Sequence, residues 1–151
     1  IGKRIFINEV KMVNFNDFRS YNNIFDIHST KIKQFGFSIA LEDGKLTCLG
    51  DEPYHESCYQ YAYKAKWLLC EAFCLDNQKD IFKPYEKHLQ LFKDASLLAN
   101  LLEVENCYCI IVKNELEKRK QLYSKQLYTN EVKLYFNGNI YVPDDLEIFK
   151  F

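Results

Sequence analysis

Cysteine and histidine are the residues of this chain that invite chemistry, six of one and three of the other among 151. Thiolates and imidazoles are zinc ligands, and zinc sites announce themselves as close Cys pairs whose turn presents both sulfurs to one ion. The pairs here are Cys70 with Cys74 and Cys107 with Cys109, and His55 with Cys58 makes a third in a loop. On strands each Cys pair falls on one face, yet too far apart for a zinc knuckle. In the segments CEAFC and CYC these thiols read as small buried hydrophobes, reduced, and no metal or cofactor is assigned.

Nucleophilic chemistry has no better foothold. The chain carries no Gly-rich phosphate loop, no nucleophile elbow and no Cys–His pairing with local context. His28, His55 and His88 stand apart and read as single surface or satisfied imidazoles. Asp144 and Asp145 are explained as helix-capping carboxylates. The sequence therefore predicts no catalytic residues and a protein that is not an enzyme.

Two stretches point to binding instead. Lys113, Lys118, Arg119, Lys120 and Lys125 interleave with Tyr123 and Tyr128, and single-strand nucleic-acid binders combine a basic track with aromatic stacking platforms. Glu115 and Glu117 dilute that field, and 20 Lys plus Arg against 21 Asp plus Glu argue that any such contact is local or shared with partners. The second stretch is Leu146, Ile148, Phe149 and Phe151, large apolar residues on a C-terminal helix stub too short to hold itself. That stub reads as a partner interface.

The elements that must position these groups are mostly strands. Phe35, Phe37, Ile39 and Leu41 alternate with Gly36, Ser38, Ala40 and Glu42, a strand whose aromatic face is buried and whose other face is nearly bare. Asp43-Gly44 reads as a two-residue hairpin turn into a strand over 45–49. Arg4 to Val13 reads as a strand or ordered arm, 14–23 as a loop and 24–33 as irregular structure. Tyr61 to Leu75 fits strand or helix, with a strand over 66–73 favoured; 80–102 has helical spacing, and Asn106 to Val112 is a central strand. Residues 115–128 read as a charged hairpin arm, and Val132 to Tyr141 as a strand with an Asn137-Gly138 turn. Five strands with a helix between the third and fourth, then the start of a C-terminal helix, is the layout of a single OB-fold barrel spanning 1–151, with 1–33 as an N-terminal arm or extension.

Aromatics make up 16% of the chain, enough for a bulky core with Tyr to spare for surfaces. There is no signal peptide and no apolar run long enough to cross a membrane, and the start at Ile1 is expected of a trimmed piece of an intracellular protein.

The segment FGFSIALED, followed by a turn and a second strand, then NCYCIIVKNELE and the VKLYF stretch, resembles the smallest subunit of the CST telomere complex, an OB-fold similar to the small subunit of replication protein A. Phe35, Gly36, Ile39, Leu41 and Asp43 stand where that family's opening strand and acidic turn would place them. The resemblance implies a nuclear, non-enzymatic accessory subunit that stabilises a larger OB-fold partner and supports telomere maintenance and C-strand synthesis. Its implied partners are that larger subunit, telomeric single-stranded DNA through the complex and, in ciliates, telomerase. A metal-stabilised or catalytic Cys/His domain is the alternative, and an OB-like protein-interaction module unrelated to DNA is a third reading.

Overall fold

The computed structural model describes residues 22–30, 32–111, 125–144 and 147–151. Its strands are β1 (Asn22–Asp26), β2 (Phe35–Leu41), β3 (Gly44–Cys48), β4 (Trp67–Ala72), β5 (Asn106–Ile111) and β6 (Asn139–Tyr141). Its helices are α1 (Tyr59–Ala62), α2 (Lys79–Phe82), α3 (Phe92–Leu101) and α4 (Lys125–Tyr135). The strands form one six-stranded sheet in the order β1-β2-β3-β4-β5-β6, antiparallel from β1 to β3 and parallel from β3 to β6. The five-stranded OB barrel is thus corrected to an open mixed sheet. Parallel neighbours need crossovers, and α1, the α2–α3 segment and α4 supply them.

β4 explains the layering. All six of its residues are buried, as expected of a central strand covered on both faces. On one face Leu68, Cys70 and Ala72, with Cys107 and Cys109 of β5, meet Phe92, Ala95 and Ala99 of α3 and Tyr128 and Val132 of α4. On the other, Leu46, Trp67, Leu69 and Tyr108 gather Phe37, Leu41, Tyr141 and the C-terminal Phe149 and Phe151.

The hairpin of β2 and β3 forms as expected, but Leu41 pairs with Gly44, so the turn is Glu42-Asp43 and not Asp43-Gly44. The bare face of β2 is its more buried one: Gly36 and Ser38 are buried while Phe35 is 54% exposed. Gly36 lies opposite Phe25 of β1, and a Cβ there would stand 2.5 Å from the Phe25 ring and 2.7 Å from the Cys48 carbonyl oxygen. Residues 22–26, assigned by the sequence to a loop and an irregular arm, are therefore the edge strand β1.

Helical spacing over 80–102 conceals a break. Lys83 and His88 sit at φ 48 and 55, and the residue before Pro84 is driven out of the right-handed helical region. Gln90 and Phe92 then extend the chain beside β4, through Phe73 N–H to the Gln90 carbonyl at 2.9 Å and Phe92 N–H to the Cys74 carbonyl at 3.2 Å. The short α2 ends before this break, and the longer α3 runs from Phe92, its first turn tied by the Asp94 carboxylate accepting the Leu91 N–H at 3.1 Å.

The largest secondary-structure correction is at α4. Tyr128, Val132 and Phe136 recur every fourth residue and are all buried, so the stretch that reads as arm and strand is a helix followed by the short β6. Asn137-Gly138 joins helix to strand instead of closing a hairpin. The C-terminal helix is likewise absent over 147–151, which is irregular.

α4 is held to the turn after β4 by the Asp76 N–H donating to Glu131 Oε1 at 2.9 Å. Glu131 Oε2 is buried without a hydrogen-bond partner among the described residues. Burial pushes this carboxyl above its ordinary 4.5, against the pull of the Asp76 N–H.

Replacing Gly36 by Ala is expected to cost about 1–3 kcal/mol in urea unfolding, because a backbone carbonyl and a packed ring must move. A loss within error of zero would refute that packing. For Glu131, a raised folded pKa means that its contribution is full below 4.5 and is lost as pH rises through the raised value. Glu131→Gln keeps an acceptor without the charge, so its melting temperature is expected to gain on wild type as pH goes from about 4 to 7. A difference constant across that range would exclude the linkage.

Candidate functional site

β1 runs in the same direction as β3, because each is antiparallel to β2, and β4 to β6 run parallel to β3. The carboxyl ends of five strands therefore share one edge, where open α/β sheets place their ligands. Two loops meet there. Ile27 approaches Gly50, whose added Cβ would lie 2.8 Å from Ile27 Cδ1, and Ser29 Oγ donates to Glu52 Oε1 at 2.6 Å. Between these contacts stand His28 on one loop and Asp51 on the other, both exposed.

His28 is held at φ 58, a left-handed conformation that costs a residue with a Cβ about 1–3 kcal/mol. Its N–H donates to Asp26 Oδ1 at 2.7 Å. The ring of His55, from the same loop as Asp51, lies 4.2 Å from that of His28, tilted by 36°. His55 Nδ1 accepts the Ser57 N–H at 3.2 Å, so in the neutral imidazole Nε2 carries the proton. Beyond His55, Pro53 and Tyr54 join Tyr85, Leu89 and Leu98 in lining a groove of about 360 Å³.

A second constellation lies within the core. Cys70, Cys107 and Cys109 are fully buried with their three sulfurs within 4.8 Å of one another. Cys74, expected to pair with Cys70, belongs instead to a separate cluster with Phe73, Phe82 and Leu91.

The residues singled out for binding fare differently. Lys113, Lys118, Arg119, Lys120 and Tyr123 lie outside the described residues, as does Leu146. Lys125 opens α4 and pairs with Asp144 at 3.1 Å and Glu147 at 3.2 Å. Tyr128 is not a stacking platform: it is 1% exposed and stacked on Phe92 at 4.4 Å. Phe149 and Phe151 pack edge-on against Tyr108 at 5.0 and 5.3 Å, covering this chain's own sheet, and Ile148 is exposed.

A mixed open sheet with α1, α3 and α4 on one face is an α/β architecture, and solved structures place it in the metallo-beta-lactamase fold. The chain is similar to the metallo-beta-lactamase fold protein YhfI from Bacillus subtilis, with a TM-score of 0.64 and 13% identity over 86% of this chain and 49% of that one. It is also similar to the short form of human tRNase Z, ELAC1, with a TM-score of 0.57 and 18% identity over 85% of this chain and 40% of that one. The chain spans about half of the first structure's length and less of the second's. No family model and no curated protein matches the sequence.

These likenesses overturn the resemblance to the small CST and replication protein A subunits, which was carried by hydrophobic alternation that any half-buried strand shares. The telomeric accessory function and the telomerase association implied by it go as well. So does the expectation of a protein that is not an enzyme, since one of the neighbours is a tRNase by name.

The two constellations differ in what they would offer a metal ion. A catalytic zinc keeps an open position for water, which three sulfurs without solvent access do not offer. The imidazole of His28 and the carboxylate of Asp51 are exposed at the shared edge, and both are donors of metal-binding chemistry. Sequence reading dismissed the histidines because 27 positions separate His28 from His55. The available signal was Gly50-Asp51 directly after the strand over 45–49.

Ser29→Ala removes a donor to the buried Glu52 and is expected to cost about 1–3 kcal/mol in urea unfolding at neutral pH. Glu52→Gln, which still accepts, is expected to cost less. The reverse order would show that this bond does not hold the two loops.

Proposed function

We propose that this chain forms part of a metal-dependent hydrolase that cleaves phosphodiester bonds, with its site at the shared carboxyl edge. The observation that carries the reading is the meeting of the loops after β1 and β3, which brings His28 beside His55 and sets Asp51 on the same edge. His28 and Asp51 would contribute ligands to the metal. Bound there, a divalent ion supplies a polarised substrate oxygen and an acidified water.

The chain's own residues have distinct tasks. His55, with Nε2 protonated by virtue of the Ser57 bond to Nδ1, donates a hydrogen bond to a substrate oxygen, where negative charge develops during cleavage. Glu52, fixed by Ser29, holds the loop that carries Asp51. β5 ends at this edge with Ile111, and the sequence that follows carries Lys113, Lys118, Arg119 and Lys120, a charge pattern suited to a polyanionic substrate. The tRNase among the structural neighbours supports a nucleic-acid substrate.

Metal analysis and hydrolysis of bis(p-nitrophenyl) phosphate by the intact protein separate the roles. His28→Ala and Asp51→Ala are expected to lower bound metal and turnover together. His55→Ala is expected to keep the metal and lose about 100-fold in turnover, as when one hydrogen-bond donor to developing charge is removed. Full metal content and unchanged turnover in all three variants would refute the assignment.

A further inference from the structure

Cys70, Cys107 and Cys109 take no part in the edge site, and the sheet register explains why they meet. In the parallel β4–β5 ladder Cys70 is the partner of Cys109 and Leu68 that of Cys107, so all three thiols share the face that packs on the helices. Cys70 Sγ lies 3.7 Å from Cys107 Sγ, and Cys107 Sγ lies 3.9 Å from Cys109 Sγ. Two sulfurs at such distances are ordinary neighbours. A third within 4.8 Å of both makes a triangle around one point. Metal–sulfur bonds of about 2.3 Å require sulfur–sulfur edges of about 3.8 Å in a tetrahedral site and about 4.0 Å in a trigonal one.

We propose that Cys70, Cys107 and Cys109 form a buried three-sulfur site for copper(I). Among the described residues no fourth donor joins the cluster, whereas structural zinc closes its shell with four. Soft thiolates and a low coordination number favour the monovalent soft ion. Binding releases protons: two thiols bind as thiolates, the third sulfur keeps its hydrogen, and the site carries a single negative charge. With no solvent access to the sulfurs, the ion enters as the chain folds, and its binding energy becomes folding energy.

The test refolds the intact chain anaerobically, thiols reduced, with copper(I) supplied as its acetonitrile complex, and then challenges it with the chelator bicinchoninate. The wild type is expected to retain one copper per chain and to melt higher than the copper-free protein. Cys109→Ala is expected to surrender its copper, whereas Cys48→Ala, outside the cluster, retains it. Where Cys109→Ala does not fold, X-ray absorption at the copper edge of the wild type decides the matter, with three sulfur neighbours expected. Complete loss of copper from the wild type, equal retention by Cys109→Ala, a sulfur count other than three, or displacement of copper by an equal amount of zinc would each overturn the proposal. Retention is expected to be unchanged in His28→Ala, which keeps this result separate from that of the edge site.

Discussion

The parallel pairing of β4 with β5 is the constraint on which the rest of the structure depends. It runs in register from Trp67 opposite Asn106 to Ala72 opposite Ile111. Because side chains alternate, a slip of one residue would exchange Leu68, Cys70 and Ala72 for Trp67, Leu69 and Glu71 on the helix-covered face. Asn106 opposes that slip at the start of the ladder. Its N–H and its side-chain amide both donate to the Lys66 carbonyl, at 3.0 and 2.8 Å, and its Oδ1 accepts from Asn139 Nδ2 at 3.0 Å. One largely buried polar side chain thus sets β4, β5 and β6 against one another.

From that register the two layers follow. The helix layer is closed by small and aromatic residues together: Ala95 and Ala99 let α3 come close, and Phe92 stacks on Tyr128 to join α3 to α4. The opposite layer is an aromatic group in which Tyr108 stacks on Tyr141 at 4.4 Å and meets Phe149 and Phe151 edge-on. Such ring pairs add about 0.5–1.5 kcal/mol beyond their buried area. Among the described residues, Phe25, Phe73, Phe82, Phe92, Phe136, Tyr108 and Tyr128 are the Phe and Tyr side chains buried inside the molecule.

A sheet of this kind collects five carboxyl ends at one edge, and the loops there are free to carry chemistry because the strands beneath them are rigid. The left-handed backbone of His28 is tolerated because Ile27, packed at Gly50, and Ser29, bonded to Glu52, fix the chain on either side of it.

The sequence by itself determined what local periodicity controls. The hairpin of β2 and β3, the strand choice at 66–73 and the strand at 106–112 were legible because alternation or an unbroken apolar run needs no distant partner to be read. Only the tertiary structure decided what depends on neighbours far along the chain. The strand order could not be read, since a parallel ladder leaves no turn signal between its strands. β2 turned its bare face to the core because Phe25 fills the space above Gly36. Tyr128, Val132 and Phe136 became a helix stripe only against α3 and the sheet, a spacing that charged residues masked. The three cysteines converge through a register linking positions 37 residues apart, and His28 meets His55 through two loops that are brought together by a strand neither belongs to. Both candidate sites are products of strand order, and strand order is the property that a single sequence, read through local spacing, does not contain.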